Sequence, residues 1–400
     1  MMKVTIAKGK PNGTLMAPPS KSFAHRYLIA AALSCGEVSN LSYSDDVIAS
    51  LNCLEKLGAK YIREGNAVKF DGFAAVSSIP TLDCNESGST LRFFIPIAMT
   101  MFDEVVFKGT EKLISRGIEA YEDSLAGVVS FEKSNDSILA KGRLVPGDYA
   151  IDASKSSQYV SGLLIALSLL KEDSTLTIKG ELTSKPYVDI TLDVLSKFGI
   201  VIEEDGGKYT IKGGQAFNQI SIANEGDHSN AAFLDAFNHL GGCVEVLGLN
   251  PQSLQGDKVY KEHFDALSKG YATIDIENCI DLAPVLFSLA SLKHGGHFIN
   301  TRRLAVKESN RALAMKEELE KAGAILRVEQ NEVIVIPRFV LSSNLEFNSH
   351  NDHRIAMALS LYSSESDIAI NDAGCIDKSY PDYFKDLEKL GMEAQYEVTE

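Results

Sequence analysis

One motif returns along the chain and limits its fold more than any other feature: an amphipathic helix ending in Leu-x-x-apolar-Gly-apolar, with an alternating strand behind it. It reads Leu54-Glu-Lys-Leu-Gly-Ala59, Leu195-Ser-Lys-Phe-Gly-Ile200, Leu319-Glu-Lys-Ala-Gly-Ala324 and Leu387-Glu-Lys-Leu-Gly-Met392, with looser copies at Leu125-Ala-Gly127 and Leu267-Ser-Lys-Gly270. The glycine suits the position after a helix, where the chain turns left-handed, and lysine in the last turn suits the negative end of the dipole. Alternating or apolar runs at 67–70, 209–211 and 333–336 read as the following strands. A period of roughly 50 to 70 residues is too long for a solenoid, but it suits a domain built from three α/β copies and present twice. The 400 residues carry the same prior of two domains, and 45% hydrophobic with 23% charged residues is enough for a sizeable core.

A second regularity is the position of the polar clusters. Pro19-Ser-Lys-Ser22, Glu86-Ser-Gly-Ser-Thr90, Ser154-Lys-Ser-Ser-Gln158, Asp227-His-Ser-Asn230 and Asn351-Asp-His-Arg354 each stand directly before an apolar helical run. Their Ser, Asp and Asn residues are good helix caps. Capping does not explain a Lys or Arg beside so many of them, because a cation is unfavourable at a helix start. Helix starts attract anions, and these clusters ask for one.

Acids outnumber bases by 54 to 39, a net charge of −15. That balance opposes a nucleic-acid or anionic-membrane partner. No apolar run reaches 18 residues, and the longest, 160–170, reads as a buried helix. The start shows no apolar signal core, and 3–6 reads as a strand. Six scattered cysteines without a C-x-x-C point to a reduced, cytoplasmic protein with no structural zinc.

Ala17-Pro-Pro-Ser-Lys-Ser-Phe-Ala-His-Arg26 resembles the first substrate loop of the enolpyruvyl transferases, most closely their shikimate branch. The likeness continues in order through Ser87-Gly-Ser-Thr-Leu-Arg92, Ser156-Ser-Gln158, Ser184-Lys-Pro-Tyr-Val-Asp189, Glu225-Gly-Asp227 and Ile280-Asp-Leu-Ala283. It ends with Val306-Lys-Glu-Ser-Asn-Arg311, Asn351-Asp-His-Arg354 and Lys378-Ser-Tyr-Pro-Asp-Tyr-Phe384. The resemblance implies an α/β (α+β) fold of two similar domains, each of three βαβαββ units about a pseudo-threefold axis. It implies a first domain of 1–15 plus 226–400, a second of 16–225, a two-stranded hinge, and an active site in the interdomain cleft that closes on substrate.

The implied reaction moves the enolpyruvyl group of phosphoenolpyruvate to the 5-hydroxyl of shikimate 3-phosphate. It releases phosphate by addition and elimination through a tetrahedral intermediate, within aromatic amino-acid biosynthesis. By the same resemblance Lys21, Gly88, Arg116, Gln158, Arg311, Arg354 and Lys378 hold phosphoenolpyruvate. Lys21, Ser22, Arg26, Ser156, Ser157, Gln158, Ser184, Asp281 and Lys307 hold shikimate 3-phosphate. Arg92 is a further candidate cation. Arginine forks suit phosphate and carboxylate, and Gly88 permits close backbone approach.

The catalytic residues implied are Asp281, Glu308 and Lys21. Asp281 is the base; its apolar neighbours Ile280 and Leu282 suggest desolvation that favours proton uptake, although it could equally cap a helix over 283–292. Glu308 is the candidate acid for C3 of the enol, with Lys21 its rival. Asp45-Asp46 matches a family acidic pair that could organise Lys21 or Arg26, and Tyr187 could pack on the substrate ring or equally be core filler after a proline in a strand. No metal or cofactor is expected, glyphosate is expected to compete with phosphoenolpyruvate, and a monomer is expected. Two departures stand out: Glu86 where many members carry Asn, and Arg116-Gly117 in place of Arg-Pro. The alternatives are the sibling that uses UDP-N-acetylglucosamine, opposed by Ser156-Ser-Gln158 and the absence of cysteine near Arg116, and a catalytically inactive binding relative.

Overall fold

The glycines that end the recurring helices have the backbone predicted for them. In the computed structural model, which describes residues 2–337 and 345–398, φ is positive at Gly58, Gly199, Gly323 and Gly391 and at the looser copy Gly127. Gly270 is the exception, with φ 171°, which is extended backbone.

The chain divides into two compact units, Pro19–Glu225 and Met1–Pro18 with Gly226–Glu400, each with its own apolar core. It therefore passes between units twice. The two crossing segments are tied by backbone hydrogen bonds, Ser20 N–H to Glu225 O within one unit and Asp227 N–H to Pro18 O within the other, both 2.8 Å.

Within Pro19–Glu225 three four-stranded sheets repeat one order: a parallel pair, then an antiparallel hairpin. Thr81–Asp83 lies parallel to Glu104–Lys108, which pairs antiparallel with Ser137–Gly142, and Val129–Lys133 forms the edge. Asp148–Asp152, Ser174–Lys179, Lys208–Ile211 and Ile202–Asp205 repeat it. The third sheet is Ser221–Ala223, Glu37–Ser39, Ala67–Phe73 and Ala59–Glu64, so its first strand comes from the far end of the unit. A parallel pair needs a crossover connection, and helices such as Gly88–Met101 and Ser157–Leu167 supply it.

The other unit builds two such sheets, one from Ala272–Asp275, Gly296–Ile299, Glu332–Ile336 and Ile325–Val328. In the second, Leu345–Asn348 and Ile368–Asn371 are followed by Met2–Ile6 and then Ala394–Val398. Its third copy departs from the predicted βαβαββ pattern. Asn12–Met16 and Cys243–Leu247 pair in parallel, and no hairpin joins them among the described residues. The physical reason is length: the helix Tyr260–Lys269 is followed almost at once by the strand beginning at Ala272. Gly270 runs straight on, in extended backbone, into that strand.

Other expectations shift slightly. The apolar run 160–170 leaves its helix at Leu167, and Tyr187 lies in the helix Lys185–Lys197 rather than a strand. The helix Ala283–Leu292 is buried at every position, as a helix apolar on all sides but for Ser288 and Ser291 requires. Among the described residues no helix is long and apolar enough to cross a membrane, and the six cysteines are unpaired.

Candidate active site

The sequence-predicted residues form two sets, one per unit. In Pro19–Glu225, Lys21 occupies the first turn of the helix Lys21–Ser34, where its charge is unfavourable. Asp46, in the first turn of Asp45–Lys56, answers it with an ion pair of 2.8 Å, both side chains being mostly buried. The helix Gly88–Met101 begins at the glycine itself, and Ser87 Oγ caps it by accepting from Thr90 N–H at 3.2 Å. A Cβ at Gly88 would lie 2.9 Å from Arg92 Nη1 and 3.1 Å from Arg116 Nη1. Two guanidinium groups thus converge on one helix start, where like charges repel and an anion relieves them.

The second contributor is tied to the first. Arg92 Nη1 donates to Gln158 Oε1 at 2.7 Å, and Gln158 Nε2 donates to Ser89 Oγ at 2.9 Å, so the starts of Gly88–Met101 and Ser157–Leu167 are coupled. Ser156 caps the latter by accepting from Gln158 N–H, and Ser157 is buried beside it. The Arg116-Gly117 departure has a backbone reason. Gly117 has φ +74°, which a proline ring, fixed near −65°, cannot adopt. Its carbonyl accepts from Tyr159 Oη at 3.0 Å, fixing the turn that carries Arg116. Ser184 is buried, with φ +53°, at the start of Lys185–Lys197.

Arg26 is held within its own unit. It is buried and gives Nε–H to Thr191 Oγ1 (2.7 Å), Nη1–H to Ser22 O (2.6 Å), and Nη2–H to Tyr187 O (3.0 Å) and Ser161 Oγ (3.3 Å). Burial lowers its proton affinity. Four of its five N–H groups are engaged inside the unit, so it ties three helices together.

In the other unit Asp281 lies in the short turn Ile280–Leu282, and Leu282, not Asp281, precedes the helix Ala283–Leu292 at its cap. Its Oδ1 is 2.7 Å from Arg311 Nη1 and 3.1 Å from Lys307 Nζ, and its Oδ2 is 3.3 Å from Arg354 Nη2. Burial alone would raise its pKa, but Arg354, Lys307 and Arg311 together hold it well below the usual carboxylate range. The predicted tendency to take up a proton is therefore reversed in this state: desolvation is present, and three cations outweigh it. Burial lowers the pKa of Lys307 despite Asp281 beside it.

Arg311 is held by carboxylates on every side of its fork. Its side chain is 0% exposed, with Nε 2.8 Å from Asp352 Oδ2 and Nη2 2.7 Å from Glu308 Oε2, in addition to Asp281. Three carboxylates thus share one buried guanidinium. Asp352 also caps the helix His353–Leu359 through Arg354 N–H. Lys378 is buried, donating to Asn351 O at 2.7 Å. None of Lys21, Arg311 and Lys378 faces bulk solvent.

Asp352 was legible only as a cap; its ion pair with Arg311 needed three dimensions. Asp257, close to Asp281 in the fold, belonged to no predicted chemistry, and its partner Ser229 was read only as part of the Asp227-His-Ser-Asn230 cluster. One further group, Glu317, Glu318 and His350, has ligand atoms within 4.8 Å of one another, although Lys321 and Asn348 N–H already hold Glu318.

A family model described as EPSP synthase (3-phosphoshikimate 1-carboxyvinyltransferase) matches residues 6–387. A Clostridium kluyveri protein named 3-phosphoshikimate 1-carboxyvinyltransferase is 38% identical over 98% of both chains. A relative of the same name from Clostridium perfringens is 36% identical over 98% of this chain and 99% of its own. The solved structure of an EPSP synthase from Acinetobacter baumannii superimposes with a TM-score of 0.78 over the whole of both chains at 20% identity, a likeness of fold.

Proposed function

The chain belongs to the EPSP synthase (3-phosphoshikimate 1-carboxyvinyltransferase) family, and from that premise we infer that it transfers the enolpyruvyl group of phosphoenolpyruvate to the 5-hydroxyl of shikimate 3-phosphate in the shikimate pathway. The observation that carries this reading is near-complete coverage, 98% of both chains, by a relative bearing that name. The six unpaired cysteines suit a reducing, cytoplasmic setting.

In this reading the 5-hydroxyl gives its proton to Asp281 while its oxygen bonds to C2 of phosphoenolpyruvate. The electrons of the enol double bond take a proton at C3, which makes the tetrahedral intermediate. Then a proton leaves the new methyl group, the double bond re-forms, and the C2–O bond to phosphate breaks. Asp281 is ionised, so it can accept the first proton. Its grip by Lys307, Arg311 and Arg354 makes it a weak base until anionic substrates draw Lys307 and Arg354 away. Glu308, oriented by Arg311, is the proposed proton donor to C3, with Lys21 the rival.

Gly88 and the guanidinium groups of Arg92 and Arg116 are proposed to receive the phosphoenolpyruvate phosphate. Lys378, Arg354 and Arg311 are assigned to the same substrate. Ser22, Arg26, Ser156, Ser157, Gln158, Ser184 and Lys307 are assigned to shikimate 3-phosphate, with Arg26 and Arg311 acting from their internal pairings. Glyphosate, a small anion, is proposed to compete at the phosphoenolpyruvate position. A methyl group at Gly88 meets both guanidinium groups at close range. Gly88→Ala is therefore expected to raise KM for phosphoenolpyruvate about tenfold and weaken glyphosate competition in parallel, with KM for shikimate 3-phosphate little changed. Steady-state kinetics with each substrate varied checks this.

The reading itself is tested by phosphate release. Phosphoenolpyruvate with shikimate 3-phosphate should give turnover, and phosphoenolpyruvate with UDP-N-acetylglucosamine should give none. Release with the sugar nucleotide alone would assign the chain to the sibling reaction.

A further inference from the structure

A carboxyl group outside every predicted motif stands next to the proposed base. Asp257 lies in the turn Gly256–Val259, which packs against the Ile280–Leu282 turn that carries Asp281. The residue is 2% exposed. Its Oδ2 accepts from Ser229 Oγ, and its Oδ1 is buried without a hydrogen-bond partner. The turn is held from the preceding residue: Gln255 Oε1 accepts from His228 N–H at 2.9 Å, and its Nε2 donates to Gly226 O at 2.9 Å. A buried carboxylate with one donor is poorly satisfied when ionised.

We propose that Asp257 is a positioning residue that switches the basicity of Asp281 by its own ionisation. The proposal rests on the enolpyruvyl-transfer reading above. The groups facing Asp257 are Asp281 and Asp227, which oppose its charge, Arg354 and Ser229, which favour it, and the buried Cys279 thiol, which burial and then the Asp257 charge keep protonated. From the helix Tyr260–Lys269, His263 turns instead to Cys279 Sγ at 3.7 Å. Burial first, and Asp281 second, push the Asp257 carboxyl up to about 7. The interaction is mutual. When Asp257 ionises, its charge opposes the three cations that hold Asp281 down, and Asp281 becomes the better base.

The sign follows for both rate and stability. Activity rises as pH passes upward through the Asp257 transition. Stability moves oppositely: a carboxyl whose folded pKa lies above its unfolded value destabilises the fold progressively between the two, and fully above the folded one.

The experiment measures kcat/KM for shikimate 3-phosphate between pH 5.5 and 9, in the intact enzyme and in Asp257→Asn and Ser229→Ala, with thermal unfolding of each at both extremes. The native enzyme should show an acid limb near neutrality, about tenfold deep. Asp257→Asn should lack that limb and stay near the low-pH rate. Ser229→Ala should keep the limb but move it to higher pH, because the ionised form loses its donor. Asp257→Asn should also gain more heat stability, relative to the native protein, at pH 9 than at pH 5.5. Persistence of the limb at its native position in Asp257→Asn, or an equal stability margin at both pH values, overturns the proposal. Failure of the native enzyme to turn over at any pH would instead overturn the functional reading, and the unfolding comparison would still decide whether Asp257 titrates in the folded chain.

Discussion

Asp281→Asn is expected to lower kcat about 100- to 10,000-fold while shikimate 3-phosphate still binds. The amide keeps an oxygen for Arg311 and Lys307 but cannot take the hydroxyl proton. It also removes the one anion shared by Lys307, Arg311 and Arg354. Those cations are then freer to meet a substrate anion, so the dissociation constants of both substrates should stay level or fall. Single-turnover phosphate release measures the rate, and calorimetric titration with shikimate 3-phosphate measures the binding. An unchanged rate removes Asp281 from the reaction. A lost rate with lost binding makes it a structural residue.

Arg311→Ala is expected to act on the fold as much as on the reaction. The guanidinium and Asp352 are both 0% exposed, and Asp281 and Glu308 depend on the same group. Removing one partner of a buried pair leaves an uncompensated charge, typically a loss of about 3–5 kcal/mol. The unfolding midpoint in urea should fall accordingly, and KM for phosphoenolpyruvate should rise more than KM for shikimate 3-phosphate. Arg311→Lys keeps the charge but lacks the planar fork that reaches three carboxylates, so it should recover only part of the stability. An unaltered midpoint in Arg311→Ala would mean that the carboxylates do not need this arginine. A kinetic effect confined to shikimate 3-phosphate would exchange the two substrate assignments.

The fold was legible where local rules decide it. A glycine that ends a helix takes a left-handed backbone, and the sequence places Gly58, Gly199, Gly323 and Gly391 accordingly. The two looser copies divide: Gly127 keeps the left-handed turn, whereas Gly270 leads directly into the next strand. The site was legible as residue types but not as pairings. The apolar neighbours of Asp281 foretold its burial, yet its three cations arrive from residues 307, 311 and 354, and no spacing rule links them. Arg26 and Arg311 looked like ligand forks because motif context carries no information about internal acceptors. Asp257 had no signal: a carboxylate two residues after Gln255 is ordinary in any surface turn, and only its packing against Ile280–Leu282 gives it significance.

Two of the sheets are closed by strands from the wrong end of their own unit. Ser221–Ala223 completes a sheet begun at Glu37–Ser39, and Met2–Ile6 lies between Ile368–Asn371 and Ala394–Val398. On the ribosome this reverses the usual order, in which the earliest segment folds first. Pro19–Glu225 is complete once its last residue has emerged, whereas Met2–Ile6 meets its strand partners only when Ile368–Asn371 and Ala394–Val398 have been translated. Until then that strand has both backbone faces unpaired, the condition that invites pairing with the wrong chain, and the whole of Pro19–Glu225 is made during the wait.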